Sequence, residues 1–383
     1  MGKSHIQPVK IDMQLLNALN HYLERYFNKL KESNAKQATE EFNEQWMKLS
    51  FLNVDNTKDN QSKYANALIT LSEAIYFRND STKKDIERLT EIIHKYTTNC
   101  KYNYGIKQTL FYKLGMCWHK IGKEYDDLAL CAFKKYVLYL LLRANNSVYQ
   151  PTAFAFKKCS TYLYQSLIND ELNMSSPTTF NDPFDCPIIE LLNQDKEIGA
   201  IISKAYKECL KVACFVTSES KGYLNEIMWA HYADSHSGIC IKYHLNNIHL
   251  CEEHQGRVAF FTNVKYSNEE LRKYSNMDTI TLKDAFFLKG KSWEYENEIR
   301  LVNYNINNRC NFSSIPIQNC IEAIYFGLRC SSKDKATIFN IMKKKKYKQN
   351  EKDTGKPVQF FEIIKDDNLF GQLKIIPYQA KQS

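Results

Sequence analysis

No apolar run in this 383-residue sequence approaches the ~20 residues that a membrane-spanning helix needs; the longest, YVLYLLL from Tyr136 to Leu142, has the length of a core helix segment. The 12 cysteines contain no C-x-x-C pair, so zinc ribbons and dithiol redox motifs find no support. Several cysteines sit inside apolar stretches (LGMCWHK, LALCAFKKY), where a reduced thiol acts as a small hydrophobe. Glycine and proline are scarce, 12 and 8, too few for a fibrous or disordered chain. The segment MGKSHIQPVK lacks the apolar stretch of a secretory signal, and a cytoplasmic location is expected.

What is present is an ordinary globular composition, 44% hydrophobic and 25% charged, long enough for two domains. The net charge of +9 invites an anionic partner, but much of the excess is local. KKKKYK at Lys343 to Lys348 has a single aromatic residue and reads as a solvated helix end or loop, which gives nucleic-acid binding only weak support.

Up to about Asn146 apolar residues recur at i, i+3 and i+4, predicting helices over 13–30, 38–52, 64–77 and 84–96. The next pair, KQTLFYKLGMCWHKIGK and DLALCAFKKYVLYLLLR, resembles one degenerate tetratricopeptide repeat. Leu114, Gly115 and Trp118 stand at its L-G-x2-aromatic positions, and Ala129 and Phe133 at the small and aromatic positions of its second helix. The resemblance implies a protein partner for this half; a helical scaffold is the plainer alternative. Past residue 150 short β-type runs and Pro-rich segments take over. Strands are predicted at 213–217, 238–243, 257–262, 298–304, 321–326 and 374–377, and helices at 190–212, 224–236, 267–275 and 332–346. The expected fold is multidomain: an all-α helical-repeat domain over 1–150, then an α+β domain with a short-stranded mixed sheet over 151–383.

Three clusters in the second half carry chemistry. Asn181, Asp182 and Asp185, around Pro183, form either a rigid polar turn or a ligand-facing carboxylate set. Trp229, His231, Tyr232 and His236 lie in MWAHYADSHSG, where Trp229 and Tyr232 share a helix face while His231 projects from another. The third cluster, KGKSWEYENEIR, contains Lys289, Trp293, Glu296, Glu298 and Arg300. Read as one strand, it places Glu294, Glu296, Glu298 and Arg300 on a single face. Carboxylates so close repel unless cations or a shared proton separate them; Arg300 neutralises one and leaves another with a raised pKa. A salt-bridged strand face explains the same pattern without catalysis. A metal-dependent hydrolase built from His231, His236, Cys240, His244, His249, Cys251 and His254 lacks helical ligand spacing, so no metal is expected.

The order FNDPFD, MWAHYADSHSGICIKY, NVKY, FLKGKSWEYENEIRLV, IYFG resembles the bacterial domain-of-unknown-function family 2971 over about 155–378. AFKKCSTYLYQSLINDELNMSSP looks like that family's amino-terminal strand and helix. The resemblance implies a place in prokaryotic, antiphage-type defence. By analogy it suggests an ADP-ribosyltransferase-like site with NAD as a possible substrate, Ser218 being a loose match to that superfamily's S-T-S motif. On this expectation Glu296, Glu298, His231 and Tyr232 are catalytic. Arg300, Trp229, Trp293, Asn181, Asp182, Asp185, Lys289 and His236 would hold NAD, a nucleotide or a nucleic-acid base. The alternative is a non-catalytic sensor module that binds a protein or a small ligand.

Overall fold

The computed structural model describes residues 58–380, apart from 101–102, 145–151, 181, 183–184, 186–195, 218–221, 246–249, 253–254, 270–286, 309, 311, 349–351 and 370. The helices predicted over 13–30 and 38–52, most of that over 267–275, and Asn181 and Ser218 lie outside the described residues. Two compact units emerge, one running to Arg143 and taking in residues up to Tyr206 of a later helix, the other containing the remainder from Ala144.

The first unit is helical: α1 Lys58–Phe77, α2 Lys83–Asn99, α3 Tyr104–Lys120 and α4 Asp126–Ala144. Thr82 starts α2 with a capping box, its hydroxyl accepting from the Asp85 N–H while the Asp85 carboxylate accepts from the Thr82 N–H. Gly115 on α3 lies under the Phe133 ring of α4, so close that a Cβ there would stand 2.7 Å from ring carbons. The glycine lets an aromatic residue fill the space between two helices. Alanines on α1 serve the same end, since Ala65, Ala67 and Ala74 are fully buried.

The second unit is built on an 11-stranded mixed sheet. Its main strands are β1 Thr152–Lys157, β2 Glu171–Ser175, β3 Leu210–Val216, β4 Ile239–His244, β5 Leu250–Glu252, β6 Arg257–Asn263, β9 Glu298–Asn305, β10 Phe312–Pro316, β11 Ile321–Phe326, β14 Gln359–Lys365 and β15 Leu373–Pro377. The main path runs β15-β14-β11-β4-β1-β3-β9-β6-β5, with β2 joining β3 to β10. All these pairings are antiparallel except β11 with β14. Two-residue strands complete the unit: β7 Lys265–Tyr266 beside β8 Leu288–Lys289, and β12 Lys346–Tyr347 beside β13 Lys356–Pro357.

Alternation along β1 assigns each face. Ala153 and Ala155 pack into one core with Leu163 and Leu167 of α5 Thr161–Asn169 and Ile338 and Met342 of α8 Ser332–Met342. Phe154 and Phe156 turn to the other face, against Met228 and Trp229 of α7 Glu226–Tyr232.

The helix expected over 190–212 is described as α6 Lys196–Cys209 and stops short. From Leu210 the backbone pairs with β9, Leu210 opposite Tyr304 and Val212 opposite Val302, so sheet hydrogen bonds replace helical ones. The segment that ends α7 adopts an unusual path, with Asp234, Ser235 and His236 at φ 50, 53 and 71. Asp and His tolerate this left-handed region better than most side chains. It is held by backbone hydrogen bonds from Ser235 to Ala230 and from Gly238 to Ala233. At Gly238 a Cβ would lie 2.2 Å from the Lys157 carbonyl oxygen.

Because that obstacle is backbone, Gly238→Ala is expected to destabilise the protein by about 1–3 kcal/mol, as overpacking does. Thermal unfolding followed by circular dichroism reads this as a lowered midpoint; an unchanged midpoint would mean that the β1 end yields freely.

Candidate active site

The site begins with strand register. In the β3–β9 ladder Val216 lies opposite Glu298 and Cys214 opposite Arg300, so these four side chains share one sheet face, while Ile299 and Leu301 fill the core on the other. Glu296 arrives differently from the single strand the sequence suggested. Residues Lys291–Glu296 form a 3-10 helix, and Asn297, at φ 42 and ψ 57, turns the chain into β9. The Asn297 amide donates to the Thr217 hydroxyl at 2.9 Å, which fixes this left-handed turn. Glu296 and Glu298 therefore converge from two elements, and Glu294 stays on the exposed side.

Five charged side chains close a buried network. The Arg300 guanidinium, 1% exposed, donates from Nε to Glu298 Oε1 at 2.7 Å and from a terminal nitrogen to Glu298 Oε2 at 3.0 Å and Asp185 Oδ2 at 2.7 Å. Lys289 Nζ donates to Glu296 Oε2 at 2.6 Å and Glu298 Oε2 at 3.3 Å, and lies 3.6 Å from Asp185 Oδ2. The Tyr232 hydroxyl donates to Glu296 Oε1 at 2.6 Å. The cations also face rings, Lys289 at 4.8 Å from the Trp293 centroid and Arg300 at 5.5 Å from that of Phe180.

Electrostatics divide the two glutamates. Burial raises the Glu296 carboxyl above the ordinary range, and Lys289 with Tyr232 offsets this only in part. Burial acts the same way on Glu298, but Arg300 and then Lys289 overrule it and hold that carboxyl at about 2. Burial also disfavours the Lys289 ammonium, yet three carboxylates keep its pKa raised. Burial, then Glu296, drives the Tyr232 hydroxyl well up, so it serves as a donor. Cys214 opens onto the cavity, but its enclosed position and the charge of Glu298 keep the thiol protonated.

Asp185, Lys289, Glu296, Glu298 and Tyr232 border one cavity of about 220 Å³, walled by Phe154, Phe156 and Phe180. A dry cavity of about 150 Å³ already accepts benzene, so this larger one takes a planar ring together with part of the ligand that carries it.

The other residues expected at the site lie elsewhere. Trp229 is fully buried in the core, its indole N–H donating to the Tyr223 carbonyl at 2.6 Å and its ring meeting Phe156 edge-on at 5.1 Å. His231 is exposed, with Nδ1 3.2 Å from the Tyr295 hydroxyl, and does not border the cavity. His236 stacks parallel to Trp229 with Nδ1 buried and unpaired among the described residues; burial, then Arg329, lowers its pKa. Asp182 is half-buried and its carbonyl accepts from the Asp185 N–H. Among the described residues no three or more His, Cys, Asp or Glu side chains are grouped so as to hold a metal ion, and no helix is long and apolar enough to cross a membrane. Lining residues that the sequence reading missed are Phe154, Phe156 and Lys157 on β1, Asn173 and Ser175 on β2, and Cys214 and Phe215 on β3. The alternation in TAFAFK was the available signal for Phe154 and Phe156.

Residues 228–301 match the family model described as protein of unknown function, DUF2971. The matched stretch runs from Met228 on the cavity wall through Arg300, and so carries most of the charged network. No curated protein and no solved structure matches the chain.

Removing one partner from a buried charge network leaves the others uncompensated, so Arg300→Met is expected to cost about 3–5 kcal/mol. Acid dependence separates the glutamates. With its carboxyl depressed, Glu298 contributes stability that is complete above pH 4.5 and is lost as pH falls toward about 2. Glu296, raised, works in the opposite direction: its contribution grows as pH falls through its folded-state pKa. In urea unfolding at a series of pH values, wild type should lose its advantage over Glu298→Gln as pH drops through that window; parallel curves would contradict the assignment.

Proposed function

The chain carries a DUF2971 domain, and for the site it frames we propose an enzymatic role: cleavage or transfer at the N-glycosidic bond of NAD or another nucleotide. The observation that supports this reading is the opposite displacement of two carboxyls on one aromatic-walled cavity, Glu296 upward and Glu298 to about 2. Environments that push paired carboxylates apart separate a proton-transfer group from a permanent charge. Breaking the C1′–N bond sends its electron pair to the departing base and leaves positive charge on the ribose, which the ionised Glu298 favours. Glu296, bonded to Tyr232 and Lys289, exchanges the proton. As water or an acceptor hydroxyl bonds to C1′, its proton passes to the Glu296 carboxylate. Phe154, Phe156 and Phe180 supply faces for a planar ring. A prokaryotic defence effector whose helical unit engages a protein partner is the setting that suits such an activity.

A specific observation favours a second reading, that of a binding module without turnover. Arg300 closes on Glu298 through two hydrogen bonds and Lys289 bonds both glutamates, so the charges of these four side chains are already paired with one another. The two readings diverge in one experiment: incubate the protein with NAD and with nucleosides and nucleotides, and follow release of nicotinamide or free base. The enzymatic reading expects release, and a fall in kcat of about 10²–10⁴ for Glu296→Gln, the range for loss of general acid–base catalysis. Binding of a nucleotide with no release by wild type would leave the module reading in its place.

A further inference from the structure

Lys157 differs from the other two cations of the charged region. Lys289 and Arg300 are both committed to carboxylates. Lys157 borders the same cavity from the end of β1, and its ammonium has no hydrogen-bond or ion-pair partner among the described residues. β1 pairs with β3 only at Phe154 and Val216, and beyond that point Phe156 and Lys157 border the cavity. Withdrawal from water lowers its pKa, against a smaller opposing effect from Cys214. An ammonium held in such a place without a counter-ion is unfavourable, and an anion brought in by a ligand relieves it.

The carboxylate side of the cavity has a matching vacancy in its hydrogen bonding. Asp185 accepts at Oδ2 from Arg300, with Lys289 3.6 Å away, while Oδ1 is buried and accepts no hydrogen bond from the described residues. Buried carboxylate oxygens are ordinarily satisfied, so this one marks a place for an N–H or O–H group. The cavity thus offers an unpaired cation, an unpaired acceptor and, with them, aromatic faces.

We propose that Lys157 anchors the phosphate of a nucleoside monophosphate unit in this cavity, with Asp185 accepting a hydrogen bond from the same ligand. The assignment rests on reading the cavity as a nucleotide site and adds the part of the substrate it grips. Neutral nucleosides lack the group that Lys157 takes. A dinucleotide meets the requirement through the phosphate next to the ribose whose glycosidic bond faces the glutamates.

Calorimetric titration of the full chain tests this with two pairs of probes: nicotinamide mononucleotide against nicotinamide riboside, and adenosine monophosphate against adenosine. In wild type each monophosphate is expected to bind about tenfold or more tightly than its nucleoside, the worth of one charge-assisted hydrogen bond. Lys157→Gln should abolish that preference while leaving nucleoside affinity and the melting temperature in place, and Lys157→Arg should restore most of it. Equal binding of monophosphate and nucleoside by wild type, or a preference that survives Lys157→Gln, overturns the anchor and leaves the nucleotide reading standing. Failure of all four probes to bind overturns the nucleotide reading and the anchor with it.

Discussion

The Arg300 guanidinium holds Glu298 through two hydrogen bonds and Asp185 through a third, in a position almost wholly removed from water. The arrangement around the cavity depends on this contact because it joins parts of the chain that nothing local would bring together. Asp185 sits at a bend that follows β2 in the chain, Glu298 opens β9, and Lys289 ends β8, yet all meet at one set of oxygens. Apolar side chains of similar volume would stabilise such a spot as well, so the value of the ions lies in position. Three carboxylates and two cations fit together in few ways, and the strand register that puts Cys214 opposite Arg300 selects one.

The division between the glutamates follows from the same contact. Both lose water, which raises a carboxyl. Glu298 faces a guanidinium that matches its two oxygens and remains charged at any relevant pH. Glu296 has a share of Lys289 and a phenol hydroxyl, which donates a hydrogen bond but brings no charge. Two side chains of one type, two positions apart, thus acquire different protonation behaviour because one has the arginine. If they had lain on a single continuous strand, with Asn297 extended, both would have faced that guanidinium from the same direction. The left-handed turn at Asn297 separates them.

How much of this could be read from the sequence depended on the range of the interaction. Helical periodicity placed α1 to α4, the described helices up to Ala144, because contacts at i, i+3 and i+4 are local. The grouping of Glu296, Glu298, Arg300 and Lys289 was also legible, since those residues lie within twelve positions, although the 3-10 turn between them was taken for strand. Trp229 and Tyr232 share a helix face by spacing, but α7 is short and sits on the sheet. Its buried side takes Trp229 into the core, and the i, i+4 pair Met228 and Tyr232 reaches the cavity. His231, on the outer side, meets Tyr295 instead. Lys157 carried no local signal at all. Its role emerges only when β1 pairs with β3 and β4, and pairing across such distances leaves little trace in a single chain.

Charge bookkeeping for the cavity brings these elements together. Arg300 and Lys289 face Asp185, Glu298 and Glu296, so that set carries one negative charge when Glu296 is ionised and is neutral when it is protonated, while Lys157 borders the same cavity with no carboxylate paired to it among the described residues. Glu296 is the carboxyl whose proton is easiest to keep, because its pKa is already raised. An anion arriving at Lys157 therefore favours the protonated form of Glu296, and its departure favours release of that proton, by the reciprocity that links any two binding events. On this view the acid–base group and the anion site are coupled through one electrostatic field. The buried arginine, by fixing Glu298 as a permanent charge, makes Glu296 the member of the pair free to respond.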